Sequence, residues 1–317
     1  MSDKIYLGID TSNYTTSVAV YSDNIEINCK KLLTVKPGEI GVRQSEAVFQ
    51  HVRQLSDVFS EADTKLKNLG FSMRDISGVG VSVSPRTAEG SYMPCFLTGK
   101  MLAENLSLSL SVPCYHFSHQ QGHIAAALYS AGRLDLLDEK IIAYHLSGGT
   151  SEGLIVTPNE HGLPEVELVC GSNDLKAGQA IDRIGVAMGL PFPAGKYLDE
   201  LASKSTKRYK HKPAMKGADF SLSGIQNKCE KMLRENESQE DIAKYCLGYI
   251  ISSIDASLAN LKETYGDLPI LFSGGVSSNS LLREHMTNKY GALFAKPAFS
   301  ADNAYGVAVL ASKGAGI

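Results

Sequence analysis

The chain has 317 residues, enough for two domains of about 150 residues each or one large one. It is 43% hydrophobic and 21% charged, which suits a soluble protein with a sizeable buried core. A net charge of −3 excludes a global basic field that would draw the chain onto nucleic acid, so any RNA contact needs a local patch or a partner subunit.

The opening residues read directly as a strand, with no signal-type leader and no apolar stretch of 18 residues, so the expected compartment is the cytoplasm. Residues 4–9 form a short apolar strand, followed by the turn Asp10-Thr11-Ser12-Asn13 and a second strand over 16–21, which together make a hairpin. Apolar residues at helical spacing (Val48, Val52, Leu55, Val58, Phe59, Leu66) predict a helix over 45–69. A buried strand over 76–82 leads into a loop and a helix over 94–110. A strand over 112–117 and a helix over 119–129 follow.

The order then begins again, with a strand at 141–145, a glycine turn and a strand at 153–157. Four helices are expected over 179–188, 197–204, 225–236 and 240–265. A strand at 268–272, a helix at 279–289, a short strand at 293–295 and a last helix at 303–313 complete the chain. No linker-like segment parts the two halves, so the boundary is a packed hinge near 130–140, giving domains 1–135 and 136–317.

Three loops suit phosphate or ribose. They are Gly8-Ile9-Asp10-Thr11-Ser12, Ser147-Gly148-Gly149-Thr150-Ser151 and Ser273-Gly274-Gly275-Val276. Each follows an apolar strand, and glycine there lets backbone N–H groups approach phosphate oxygens. One such pair is commonly a plain turn; three, spread over both halves, suit a nucleotide clamped between two lobes. Asp10 is placed to orient a magnesium ion or a water, and Asp10 and Ser12 are the candidate catalytic residues.

His119-Gln120-Gln121-Gly122-His123 puts two imidazoles one helical turn apart, a usual way to present two metal ligands, although two histidines on a polar helix face need do nothing. Asp302, in Ser300-Ala301-Asp302-Asn303, is a candidate third ligand, or an N-cap for the last helix. His145 is a candidate to close the site. Asp182 reads either as a buried acid seeking a hydroxyl or cation, or as a surface pair with Arg183, and Asp199 reads likewise. Six scattered cysteines without a CxxC pair argue against a zinc finger or a thioredoxin-like centre. No nucleophile elbow, Walker loop, dinucleotide-binding glycine fingerprint or HExxH is present.

In this order the segments resemble the tRNA threonylcarbamoyl transferases, a family once described as O-sialoglycoprotein endopeptidases. Gly8-Ile9-Asp10-Thr11-Ser12 with Thr16-Ser17-Val18-Ala19-Val20 resembles GIETS…TSVAV. His119 to His123 resembles HxEGH, and Leu146 to Gly149 resembles VSGG. Gly178 to Arg183, then Pro193-Ala194-Gly195 and Asp199, resembles GEAFDK…PGG…D. Phe220 to Gly224 resembles FSFSG, and Gly274 to Asn279 with Leu282-Arg283 resembles GGVxxNxxLR. The likeness spans nearly the whole chain.

The resemblance implies an α/β protein of the two-lobed actin/heat-shock-chaperone/sugar-kinase class, with duplicated ribonuclease H-like domains. It implies one iron or zinc ion on His119, His123 and Asp302, with His145 able to join them. It also implies an adenylate or ATP, with or without magnesium, held by the three glycine loops with Asp182, Gly195, Asp199 and Asn279. The implied reaction moves threonylcarbamoyl from its adenylate to the tRNA adenosine beside the anticodon, with partner proteins helping to hold tRNA. A divergent paralogue with another acceptor, or a non-catalytic partner that pairs with a related subunit as homodimer or heterodimer, is the rival. The departures that raise it are HQQGH for HxEGH, SGGTS after the strand, Gln179 in place of an acid, Arg86 and Glu89 in a longer loop, and Gln44 to Phe49 in place of PELASR.

Overall fold

The computed structural model describes residues 4–12, 14–35, 42–300, 302 and 304–314. Asn13, Ala301 and Asn303, named in the turn and the motif read above, lie outside the described residues. Two units are distinguished. The first comprises Met1–Glu139, Thr157–Val166 and Ala298–Ile317, and the second Lys140–Val156 and Glu167–Pro297. Among the described residues no helix is long and apolar enough to cross a membrane.

The first unit opens with a meander, β1 (Ile5–Asp10), β2 (Thr15–Ser22) and β3 (Ile25–Leu32). β1 and β2 are buried throughout, β2 carrying small hydroxyl residues at both ends, whereas β3 alternates. The helix α1 (Gln44–Asn68) buries Ala47, His51, Leu55, Val58, Ala62 and Leu66, a period of three to four. β4 (Ile76–Ser84), α2 (Phe96–Leu110), β5 (Cys114–Ser118) and α3 (His119–Ser130) follow. The sheet order is β3-β2-β1-β4-β5, antiparallel through the meander and parallel from β1 to β4 and β5.

The second unit repeats that plan. β6 (Ile141–Leu146), β7 (Ser151–Pro158) and β8 (Pro164–Gly171) form the meander, although the tip of the β7–β8 hairpin groups with the first unit. Then come α4 (Ala177–Ala187), α5 (Gly195–Ala202), the small ribbon β9 (Ala214–Lys216) and β10 (Asp219–Ser221), α6 (Ser223–Arg234) and α7 (Gln239–Tyr265). β11 (Ile270–Ser273), α8 (Ser280–Tyr290) and β12 (Leu293–Phe294) complete it. The sheet order β12-β11-β6-β7-β8 matches the first, with β6 antiparallel to β7 and parallel to β11. Neither β3 nor β8 was expected from sequence; the other expected strands and long helices are present, within about two residues at most ends.

α9 (Pro297–Ser300) precedes α10 (Tyr305–Ser312), whose residues Tyr305 to Ala311 are all buried in the first unit. Glycines make that possible. Gly8 and Gly80 are register partners on β1 and β4, and a Cβ on either would overlap a backbone carbonyl, that of Ala304 or of Val307. On the other side of α10, a Cβ on Gly306 would overlap the carbonyl oxygen of Gly122 on α3. The helix therefore lies against bare backbone on two sides, and this close seating fixes where Asp302 sits. The start of α10 at Tyr305, with Ala304 before it, leaves Asp302 outside the N-cap position.

His51 is a buried polar group of this unit. Its Nδ1 lies 2.8 Å from Thr16 Oγ1, and that hydroxyl donates to Gln54 Oε1 at 3.0 Å. A hydroxyl has one proton to give, so Nδ1 is the donor to Thr16, and Nε2 is a bare acceptor with no partner among the described residues. Burial pushes the imidazole from 6.5 down to about 4, against the opposing pull of Asp10.

Two outcomes follow from this packing. Gly306→Ala should lower the unfolding free energy of the first unit, read from denaturant melts, by about 1–3 kcal/mol or more, because overlap with Gly122 outweighs the better helix propensity of alanine. Gly224→Ala, on α6 with open space around it, should cost nothing. Between pH 6.5 and 4 the unfolded chain takes a proton on His51 that the folded chain refuses, so stability falls as pH falls through that window. Melting curves of His51→Leu should lack this component while keeping the slopes due to other groups.

Candidate metal centre and nucleotide-sized pocket

His119 is the first residue of α3 and His123 lies one turn on. The helix starts there because Ser118 caps it: the Ser118 hydroxyl accepts from Gln121 N, and Gln121 Oε1 accepts from Ser118 N at 2.8 Å. Gln121 also donates from Nε2 to the Pro164 carbonyl at 3.0 Å. It is 6% exposed and works as a helix cap and tether.

The two imidazoles stand 4.2 Å apart between centroids. Asp302 Oδ1 lies 3.4 Å from His119 Nε2 and 3.2 Å from His123 Nε2. One ligand atom from each of the three residues falls within 4.8 Å of the other two. A tetrahedral ion bound at about 2.1 Å sets its ligand atoms about 3.4 Å apart, so the spacing fits a transition metal. Two histidines and one carboxylate on one side leave the other positions open, as in iron(II) and catalytic zinc sites. Thr15 Oγ1 reaches Asp302 Oδ2 at 3.5 Å.

Asp10 stands behind this group. It is 1% exposed; one oxygen accepts from Ser12 N, and the other faces His119 Nδ1 at 2.8 Å and accepts from the Ser82 hydroxyl. A carboxylate on Nδ1 holds the proton there and turns Nε2 toward Asp302, the usual arrangement behind a metal-bound histidine. Burial presses the Asp10 carboxyl upward, but the His119 charge and the three hydrogen bonds hold it below the usual range. Burial also opposes charge on His119, and Asp10 and Asp302 reverse that, raising it to about 10. For Asp302, burial is likewise overridden by His119 and His123, which hold its carboxyl well below the usual range. One buried and one part-buried carboxylate thus favour positive charge at His119, and a divalent cation on the two imidazoles would supply it in place of the proton.

In the second unit, a cavity of about 470 Å³ is lined by Gly148, Gly178, Ile181, Asp182, Gly195, Lys196, Asp199, Gly275 and Asn279, among others. That volume falls in the range of small-molecule sites. The Ser147–Thr150 turn closes on itself, with Ser147 N donating to Thr150 O at 2.7 Å and Thr150 N to Ser147 Oγ at 3.1 Å. α4 begins against this turn, where a Cβ on Gly178 would overlap the Gly148 backbone. Asp182 Oδ1 accepts from Ala194 N at 2.8 Å, and Arg183 bonds Gln226 instead, so no Asp182–Arg183 pair forms. Asp199 accepts from Asn279 Nδ2, Ser280 N and Ser280 Oγ at 2.8–2.9 Å, while Asn279 Oδ1 caps α8 through Leu282 N.

The structure therefore brings His119, His123 and Asp302 together with Asp10, and brings Asp182, Gly195, Asp199 and Asn279 together with Gly148 and Gly275. Gly274 adopts φ +88°, where a Cβ would also overlap the Leu146 carbonyl. Gly149 has open space around it. His145 lies in the second unit at the end of β6, its Nδ1 3.0 Å from Ser273 Oγ. Ser12 is buried, and its hydroxyl has no hydrogen-bond partner among the described residues. Sequence reasoning missed Ser82, Thr15 and Lys196. Ser82 was in principle findable, since β4 runs parallel to β1 and pairs Val81 with Ile9, next to Asp10.

Among solved structures, the chain is similar to the (R)-2-hydroxyglutaryl-CoA dehydratase component A of Acidaminococcus fermentans, at 18% identity and a TM-score of 0.56 over 98% of this chain and 99% of that one. It is also similar to HypF of T. kodakarensis, at 13% identity and 0.59 over 99% of this chain and 47% of that one. The activator of the 2-hydroxyisocaproyl-CoA dehydratase from Clostridium difficile, with bound ADPNP, matches at 14% and 0.52 over 99% of this chain and 95% of that one. At these identities the likeness speaks to fold, and it places the chain in the actin/heat-shock-chaperone/sugar-kinase class with its duplicated sheets. The family model described as TsaD, tRNA N6-adenosine threonylcarbamoyltransferase, matches residues 24–309, and the chain belongs to that family.

Proposed function

We propose that this chain is a metal-dependent transferase that moves a threonylcarbamoyl group from its adenylate to the adenosine beside a tRNA anticodon. The observation that carries the reading is the His119–His123–Asp302 group with Asp10 behind it, in a member of this family. His119, His123 and Asp302 would hold one iron or zinc ion, which would supply Lewis acidity and a template.

The chain's own residues account for the rest. Asp10 serves by orienting His119 rather than by touching the reacting atoms, because its oxygens are already engaged with Ser12, Ser82 and His119. In the cavity, Gly148 and Gly275 let backbone N–H groups reach an adenylate phosphate, while Gly178 N donates to the Ser147 carbonyl and seats the start of α4, whose dipole adds to the site. Asp182 Oδ2 makes no protein hydrogen bond among the described residues, so it is available to a ribose hydroxyl. In the reaction the adenosine amine forms a C–N bond to the carbamoyl carbon. The bond from that carbon to the phosphate oxygen breaks, AMP departs with the electron pair, and the proton lost from the amine passes to the departing phosphate or to water. Positioning and charge stabilisation are the protein's contribution. The altered Gln121 does not weaken this reading, since its side chain is spent on capping α3 and on Pro164.

Reconstitution of the purified protein with iron or zinc should load one ion, measured by elemental analysis and calorimetry. His123→Ala should abolish loading, and Asp10→Asn should weaken it about 10–100-fold. Equal loading of all three proteins would remove the metal centre from the reading. With threonylcarbamoyl adenylate, unmodified tRNA and partner proteins supplied, mass spectrometry of digested tRNA should find the modified adenosine. Consumption of adenylate without tRNA product would instead favour a paralogue with another acceptor.

A further inference from the structure

Residues 204–216 read KSTKRYKHKPAMK: six cations (Lys204, Lys207, Arg208, Lys210, Lys212, Lys216) and no acid, in a chain of net charge −3. All six are exposed. Lys207 pairs with Asp241 at 2.8 Å and Glu237 at 3.3 Å. The other five have no acidic partner among the described residues.

The segment is pinned along one face of α7. Ser205 Oγ donates to Asp241 at 2.6 Å, beside the Lys207 pair. One turn on, Tyr209 and His211 pack against Tyr245, with ring centroids 5.3 and 5.0 Å away. A further turn on, His211 meets Tyr249, and Ala214 N donates to the Tyr249 hydroxyl at 3.2 Å. A Cβ on Gly248 would overlap His211 Nε2, so glycine there lets the ring seat. Burial alternates in step: Tyr209, His211, Pro213 and Met215 are half-buried, while Arg208, Lys210, Lys212 and Lys216 face water. Lys228 adds a cation beside them, 6.0 Å over the Tyr245 ring. The seating leaves the Tyr209 hydroxyl and His211 Nδ1 buried without partners, a cost of about 1–3 kcal/mol each. A solvated charged loop has no need of such anchoring.

We propose that this stripe, resting on the tRNA reading above, binds the phosphate backbone of RNA. Its aromatics are turned inward and cannot stack on bases, so it positions RNA without reading sequence. The helix α5 connects it to the cavity: Gly195, Lys196 and Asp199 line the pocket, and the helix ends at Ala202, just before the stripe.

The test is tRNA binding by the full chain, followed by fluorescence anisotropy from about 50 to 200 mM salt with an unmodified tRNA transcript. The triple variant Arg208→Ala/Lys210→Ala/Lys212→Ala should bind more than tenfold more weakly at low salt. Its slope of log affinity on log salt should be shallower by about 2 to 3, near one unit per lost phosphate contact. Lys210→Arg/Lys212→Arg should keep the slope. AMP binding in the cavity and the melting midpoint should match wild type in both, which separates loss of the stripe from loss of fold. An unchanged slope in the triple variant overturns the stripe and leaves the transferase reading standing, as does a variant that keeps tRNA but loses anionic vesicles or an acidic protein. Wild-type protein that binds no tRNA overturns the stripe as well, and the transfer assay then judges the transferase reading separately.

Discussion

The metal-capable group depends on how closely two helices and two strands approach one another. α10 comes from the far end of the chain, yet Asp302 just ahead of it must reach two histidines at the start of α3. Side chains of ordinary size would hold helices about 8–10 Å apart. Here Gly122 sits between the two histidines and meets Gly306 backbone to backbone, while Gly8 and Gly80 clear the sheet beneath. The Gly122 in the motif is therefore as much a requirement of the cluster as the imidazoles it separates. Burial of Val307, Val309 and Leu310, worth roughly 1.5–3 kcal/mol each as an upper estimate, holds the helix down.

Electrostatics then selects what fills the cluster. Asp10 is buried and Asp302 part-buried, and an unpaired buried carboxylate is costly. The ring of His119 lies between them and binds one through each nitrogen. Its orientation is set from behind by Asp10, so that a metal replacing the Nε2 proton would meet the lone pair without a search over ring orientations. An exposed Asp10 would compete as a ligand; fully buried and held by Ser12 and Ser82, it can only orient.

The repeated order of strands and helices was legible because buried parallel strands and long amphipathic helices leave strong periodic signals. β3 was missed although IEINCKKL alternates, since its outer half is charged and exposed as an edge strand should be. β8 carries a weaker alternation still. The histidine pair was legible from its i, i+4 spacing. The choice between ligand and N-cap for Asp302 was not, because it turns on where α10 begins and on a contact across the whole chain. Gln121 misled for a related reason. Its letter differs from the resembled motif, but its position is the third residue of a capping box, where glutamine and glutamate serve alike. Only the bond to Pro164 needs the amide, since a carboxylate has no proton to give.

The pocket in the second unit is built on a different economy of polar groups. Asn279 is consumed twice, capping α8 through its oxygen and holding Asp199 through its nitrogen. Asp199 in turn ties α5 to the start of α8 through Ser280. These residues shape the wall and have little capacity left over. What faces the cavity with capacity to spare is glycine backbone, the second oxygen of Asp182 and the ammonium of Lys196, which lies across from Glu200 at 3.8 Å. Donors from backbone, one cation and one acceptor match the needs of a phosphate joined to a ribose, the ligand that the proposed reading puts there.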